Sequence, residues 1–163
     1  EMKSTGEVMG IDKDFGLAYA KSQISSGNSL PTKGLAFISL KDKHKNEGID
    51  LAKKLVELNF TLCGTEGTAN TIQKNGIKCK KINKVSGGSP HIVDVLNAKK
   101  IALVINTGGG KRAYRILDST SLRRATLINK VPYCTNMSTA YACLEGIKSL
   151  KSKKITVTSL QDI

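Results

Sequence analysis

Two glycine-rich segments of this sequence are built from the residue types that cradle anions. The first is Gly64-Thr65-Glu66-Gly67-Thr68-Ala69. It follows a short apolar run and precedes a helical pattern. Two glycines permit a tight turn and a close approach of the backbone. The first turn of a helix offers unpaired N–H groups and partial positive charge, which suit phosphate. Thr65 and Thr68 add hydroxyls. The same residues also suit an ordinary capped turn, with Thr68 serving only its own helix. The second segment is Asn106-Thr107-Gly108-Gly109-Gly110-Lys111-Arg112. Three glycines followed by two cations could cradle an anion or form a plain solvated loop. It lacks the leading glycine and the Lys-Ser/Thr pair of a triphosphate-binding loop. Further cations stand after other short runs: Lys45, Lys84 and the pair Arg123-Arg124. Residues for covalent or proton-transfer chemistry are sparse. His91 could act as a base but has no paired serine or cysteine, and Asp94 and Asp118 lack evident partners for acid–base work.

For these groups to converge, the elements between them must present one common edge. Residues 35–40, 60–63, 77–82, 101–105 and 131–135 read as strands. Helical patterns lie between them at 46–59, 69–74 with Thr68 as cap, 90–98 with Pro90 in the first turn, 119–128 and 138–150. Residues 155–158 read as an edge strand. Alternating strands and helices predict a three-layer α/β fold: a parallel sheet of about five strands, Rossmann-like, with helices on both faces. The 101–105 run is the most apolar and belongs in the sheet interior. Ligands of such sheets sit beyond the carboxyl ends of the strands, and Lys45, Lys84 and both glycine-rich segments fall there. Ahead of this rhythm, Asp12 is expected to cap a helix through Phe15, Ala18, Tyr19 and Ile24. Ser25-Ser26-Gly27-Asn28-Ser29, followed by Pro31, marks a domain boundary.

Composition narrows the partners. The chain has 163 residues and a formal charge of +13, a field that attracts anions. Aromatic residues make up only 4%, there is no Trp, and no recognition helix, zinc finger or aromatic sheet motif is present, which argues against nucleic acid. The longest apolar runs are strand-length, so no membrane-spanning helix is expected. Cys63, Cys79, Cys134 and Cys143 lack metal-site spacing and are expected as free thiols in a reducing cytoplasm.

The opening Glu1-Met2-Lys3-Ser4-Thr5-Gly6-Glu7-Val8-Met9-Gly10 resembles the end of the carbamoyl-phosphate-forming ATP-grasp half of carbamoyl-phosphate synthetase large subunits, a similarity that continues to about residue 26. From Gly34 the chain resembles their C-terminal regulatory domain, of methylglyoxal-synthase-like fold. Gly64 through Ala69, Asn83-Lys84-Val85, Pro90-His91-Ile92, Ile105-Asn106-Thr107 and Arg123-Arg124 fall in the family's order. The resemblance implies that residues 1–32 are the ATP-grasp tail and linker, residues 33–163 an allosteric domain, and the chain a fragment of a longer protein.

The resemblance also implies an effector site for UMP or IMP. Lys45, Thr65 and Thr68 would hold the phosphate, Lys84 would reach phosphate or ribose, and Asn106 and Thr107 would face ribose or base. Tyr133 and Thr135 match an ornithine seam whose acidic partners lie upstream. No catalytic residue, metal or cofactor is expected here. The implied parent is a glutamine-dependent ligase that makes carbamoyl phosphate from bicarbonate, ammonia and ATP, for pyrimidine and arginine synthesis. It would use ATP with Mg2+ or Mn2+, and K+. Its implied partners are the rest of the large subunit, the glutaminase small subunit and further copies of itself. A methylglyoxal-synthase-like lyase acting on a triose phosphate is the rival reading. That chemistry needs aspartates after a Gly-Gly pair and after the apolar central strand. Here Gly87-Gly88 precedes Ser89, and residues 106–110 contain no acid. Gly108-Gly109 stand where bacterial relatives prefer hydroxyl residues, and the stretch between Lys111 and Arg123 is about two residues longer than in the relative compared.

Overall fold

The computed structural model describes residues 6–108, 113–157, 159 and 161, with backbone only at 113–115. Five strands form one parallel sheet: β1 (Gly34–Ser39), β2 (Phe60–Gly64), β3 (Lys80–Lys81), β4 (Ile101–Asn106) and β5 (Tyr133–Cys134). Their order is β3-β2-β1-β4-β5. Six helices cover it: α1 (Phe15–Ser25), α2 (Lys45–Glu57), α3 (Glu66–Lys74), α4 (Ile92–Asn97), α5 (Ala113–Ile128) and α6 (Met137–Ser152).

The side-chain period of the strands divides the core in two. Ala36, Ile38, Leu103 and Ile105 pack on one face with Leu51, Ala52 and Leu55 of α2, Ala69 and Ile72 of α3, and Ala140, Leu144 and Ile147 of α6. Phe37, Ile101 and Val104 pack on the other with Ile92 and Leu96 of α4 and Leu122 and Ala125 of α5. Ile101 and Val104 share a face although three apart, because a bulge opposite Leu35 and Ala36 absorbs one residue of β4.

This division follows from chain direction. From β1 the chain steps outward to β2 and β3, with α2 and α3 on one face. It then returns to β4 and β5 with α4 and α5 on the other. Right-handed crossovers require that change of face when the direction of travel reverses. β1 and β4 are therefore neighbours whose outgoing connections part to opposite faces, and a crevice opens beyond their carboxyl ends.

Several boundaries differ from the sequence reading. Asp14, not Asp12, caps α1: its carboxylate accepts from the Leu17 N–H at 2.9 Å, while Asp12 pairs with Lys21 at 2.7 Å. Thr65, not Thr68, stands at the N-cap of α3, because the backbone turns helical one step after the strand. Pro90 precedes α4, where His91 holds the cap position. β3 keeps two residues of the six expected, because only Cys63 and Gly64 of β2 offer it a ladder. α5 begins six residues before the expected Ser119. Residues 155–157 form no strand, and Thr158 lies outside the described residues.

α1 lies against α6. Glycines allow that approach: a Cβ on Gly16 would sit 2.5 Å from the Glu145 carbonyl oxygen. Asp14 fastens the contact, accepting from Ser149 Oγ at 2.6 Å and from Lys153 Nζ at 2.5 Å. The Lys153 ammonium, the Ser149 hydroxyl and the Leu17 N–H hold the Asp14 carboxyl far below its ordinary value of 3.8. A depressed carboxyl contributes stability above its unfolded pKa and loses it as pH falls toward the folded one. Asp14→Asn is therefore expected to lower the melting temperature at neutral pH. The gap to wild type should stay constant down to about pH 5 and shrink below 3.8, read by thermal denaturation across pH.

Candidate functional site

At the carboxyl end of β1 the neighbouring strands stop supplying backbone partners, and threonines take over. Thr65 N–H still donates to the Ile38 carbonyl at 3.3 Å, and Thr107 N–H to the Ser39 carbonyl at 3.0 Å. One step on, Leu40 N–H donates to Thr68 Oγ1 at 3.0 Å. Lys41 N–H donates to Thr107 Oγ1 at 3.2 Å. Thr65 Oγ1 donates to Thr68 Oγ1 at 3.2 Å. All three threonines are buried, Thr68 at 1% exposure. They fix the segment from Ser39 to Lys41 as a rigid lip between the β2–α3 turn and the end of β4.

Two adjoining clefts open on this lip. The larger, about 430 Å³, is lined by Lys45, Thr65, Gly67, Thr68, Asn83 and Lys84. The other, about 290 Å³, runs toward α5 and is lined by Ser39, Asn106, Gly108, Asp118 and Ser119 over an apolar floor of Phe37, Ile92 and Leu122. Leu40, Asp42, Thr65 and Lys84 border both. Lys45 opens α2, and its ammonium lies over the start of α3: a Cβ on Gly67 would approach Lys45 Nζ to 3.4 Å. Lys45 Nζ is held 2.7 Å from Asp42 Oδ1. Gly64 has a different role from the one its sequence context suggests. A Cβ there would meet the Ile38 carbonyl oxygen at 2.6 Å, so its bareness serves strand packing and not ligand approach.

Lys45, Thr65, Thr68 and Lys84 thus meet in one cleft, and Asn106 lies in its neighbour. Thr107 is buried at 3% exposure, and its hydroxyl accepts from Lys41. Asn106 is engaged at both ends: its Oδ1 accepts from Gly108 N–H at 3.0 Å and its Nδ2 donates to Tyr133 Oη at 2.9 Å. Arg123 lies over the Tyr133 ring at 6.0 Å. Thr135 is exposed outside both clefts, as is Arg124. Gly109, Gly110, Lys111 and Arg112 lie outside the described residues.

Asp94 and Asp118, two of the candidate acid–base groups, are hydrogen-bonded within the fold. Asp94 accepts from His91 N–H at 2.8 Å and from Ser89 Oγ at 2.9 Å, closing the start of α4. These two donors hold its carboxyl below the usual range. Asp118 is partnered after all, by Ser86 of the β3–α4 loop. Thirty-two residues separate that pair, and no sequence spacing signals it. The Asp42–Lys45 pairing was legible as an i,i+3 spacing and was missed. All four cysteines are free and buried. Burial pushes the Cys63 thiol up to about 12 and that of Cys79 to about 11, which disfavours the reactive thiolate. No group of three metal-ligating side chains occurs among the described residues. Nor is any of their helices long and apolar enough to cross a membrane. The arrangement suits a monoester phosphate: ammonium groups, hydroxyls and the free N–H groups of the first turn of α3 face one volume.

Comparison with known proteins bears on the family and the fold. Residues 47–135 match the family model described as MGS-like domain. The chain is 46% identical over 162 residues to the carbamoyl phosphate synthase large chain of Mesorhizobium japonicum, covering 99% of this chain and 14% of that one. It is 47% identical to the C-terminal section of the large chain of Methanopyrus kandleri and 48% identical to that of Aquifex aeolicus. It covers 30% and 31% of those two sections respectively. The chain therefore spans less than a third of the length of these relatives. Among solved structures, methylglyoxal synthase from Elizabethkingia anophelis superposes with a TM-score of 0.53 at 17% identity, over 71% of this chain and 79% of that one, which establishes the shared fold.

Thr68→Val keeps the shape of residue 68 and removes its oxygen, leaving the buried Leu40 N–H without an acceptor. The expected cost is about 1–3 kcal/mol of stability, read from urea denaturation, with Thr68→Ser close to wild type.

Proposed function

This chain belongs to the MGS-like domain family, and on that premise we propose that it is the effector-binding C-terminal domain of a carbamoyl-phosphate synthetase large subunit. The relatives at 46–48% identity support this parentage. In this reading the parent is a glutamine-dependent ligase in the cytoplasm, which joins ammonia, bicarbonate and ATP into carbamoyl phosphate for pyrimidine and arginine synthesis. ATP and its divalent cation are handled in the remainder of the parent. Residues up to about 32 are the tail of that remainder, and α1 docks on α6 as the joint.

The effector is a nucleoside monophosphate, UMP or IMP. The observation that carries this is the convergence of Lys45, Thr65, Thr68 and Lys84 on one cleft that opens into a second, apolar-floored one. The first compartment suits the charge and hydrogen-bonding of a phosphate monoester. Phe37, Ile92 and Leu122 offer the second an apolar floor for a base, with Asn106 at its rim. Asn106 also ties this compartment to Tyr133, one of the two positions matching the ornithine seam. Such a domain regulates its parent only through a difference in effector affinity between the parent's states. The domain itself carries out no reaction in this reading, because Ser89 stands where a triose-phosphate lyase would need an acid after Gly87-Gly88, and residues 106–110 at the end of β4 contain no acid.

Calorimetric titration with UMP is expected to give saturable heat at one site. No heat at millimolar nucleotide from folded protein would sink the proposal, and turnover of dihydroxyacetone phosphate would establish the lyase instead. Lys45→Met should weaken nucleotide binding by about 1–3 kcal/mol without lowering the melting temperature, since a pair with so exposed a partner as Asp42 adds little to stability.

A further inference from the structure

We infer that Asp118 is a positioning residue that holds Lys84 at the mouth of the phosphate cleft, an inference that rests on the phosphate-monoester reading above. Lys84 lies on the β3–α4 loop, where residues 86–90 are all exposed. The loop is pinned at its base by a bridge between Asn83 and His91, with Ile92 N–H donating to the Asn83 carbonyl at 3.1 Å. Above that base it turns through a short 3₁₀ segment, Val85–Gly87, with Lys84 at its cap.

α5 reaches across to this turn. Ser86 N–H donates to Asp118 Oδ1 at 2.9 Å, and Ser86 Oγ to Asp118 Oδ2 at 2.8 Å. Two bonds to one carboxylate fix position and orientation together. Ser86 stands two residues from Lys84, so this tie sets where the Lys84 backbone sits. Asp118 and Lys84 also line the same cleft, the one that adjoins the phosphate cleft. A lysine carries four rotatable bonds, and ordering it on a loose loop would be charged against ligand binding. The tie removes part of that cost beforehand. Asn at position 118 could accept one of the two Ser86 hydrogens but would present its own N–H to the other.

The test uses the full 163-residue chain. Inorganic phosphate and UMP are titrated by calorimetry into wild type, Asp118→Asn, Lys84→Met and the double variant. The Ser86 amide is followed in a 15N-labelled sample. Asp118→Asn is expected to weaken both ligands about tenfold when Lys84 is present and less than about twofold when it is Met, because the effect passes through Lys84. The Ser86 amide proton should move upfield in Asp118→Asn even without ligand. Equal losses in both backgrounds would mean that Asp118 acts on the ligand or the fold directly, and no loss in either would mean that it has no role; both overturn the inference. An unmoved Ser86 amide overturns the tie itself. A Ser86 amide that moves in Asp118→Asn as expected, together with wild type that binds neither ligand, overturns the phosphate reading, and this inference with it.

Discussion

Everything at the carboxyl edge depends on how two backbone N–H groups are satisfied where β1 runs out of neighbours. At a switch point the flanking chains leave toward opposite faces, so a central strand loses both ladders at once. Buried N–H groups without acceptors are costly. Here Thr68 from one side and Thr107 from the other accept from Leu40 and Lys41. The crevice stays open because side-chain hydroxyls, and not a further strand, close the ladder.

That arrangement also decides what remains for a ligand. The Thr68 oxygen receives the Leu40 N–H and the Thr65 hydroxyl, which leaves Thr68's own hydrogen to donate. The Thr107 hydroxyl likewise keeps a hydrogen after accepting from Lys41, but its burial at the β4 end turns it toward the frame. The Thr68 and Thr107 oxygens are thus engaged by the fold while the Thr68 hydrogen is left for the cleft, whose border also carries the exposed carboxylates of Asp42 and Glu66. Lysine ammoniums complete a surface selective for negative charge. The Asp42–Lys45 pair does not contradict this. Asp42 is 95% exposed, and such pairs contribute about 0–1 kcal/mol, so a dianion exchanges for one well-solvated carboxylate at small cost.

How much of this was readable beforehand follows from the range of each interaction. The strand–helix alternation is local, and it gave all five strands and the rim carrying Lys45, Thr65, Thr68 and Lys84. Asp14 was hidden behind Asp12 because both suit a cap, and only contact with Ser149 and Lys153, over one hundred and thirty residues away, selects between them. Apolar residues at 77 and 79 suggested a long third strand, but β2 offers pairing only to its end, so tertiary geometry overrode β-propensity. Residues 155–157 have the β-branched pattern of a strand yet find no ladder. The Ser86–Asp118 tie joins a loop to a helix with no periodic relation between them, so no pattern rule reaches it.

Asn106 shows how the edge can report on its own occupancy. Its carbonyl accepts from Gly108 and its amide donates to Tyr133, whose ring lies under Arg123 of α5. An amide has one remaining donor and one remaining lone pair after these two bonds. A ligand that uses only this spare capacity leaves the chain from β4 to β5 and α5 intact. A ligand that turns the amide must break both bonds together, freeing Tyr133 and the backbone of Gly108 in one step. Under the nucleotide-binding proposal, the polar atoms that a ligand presents to Asn106 would decide whether these two bonds survive.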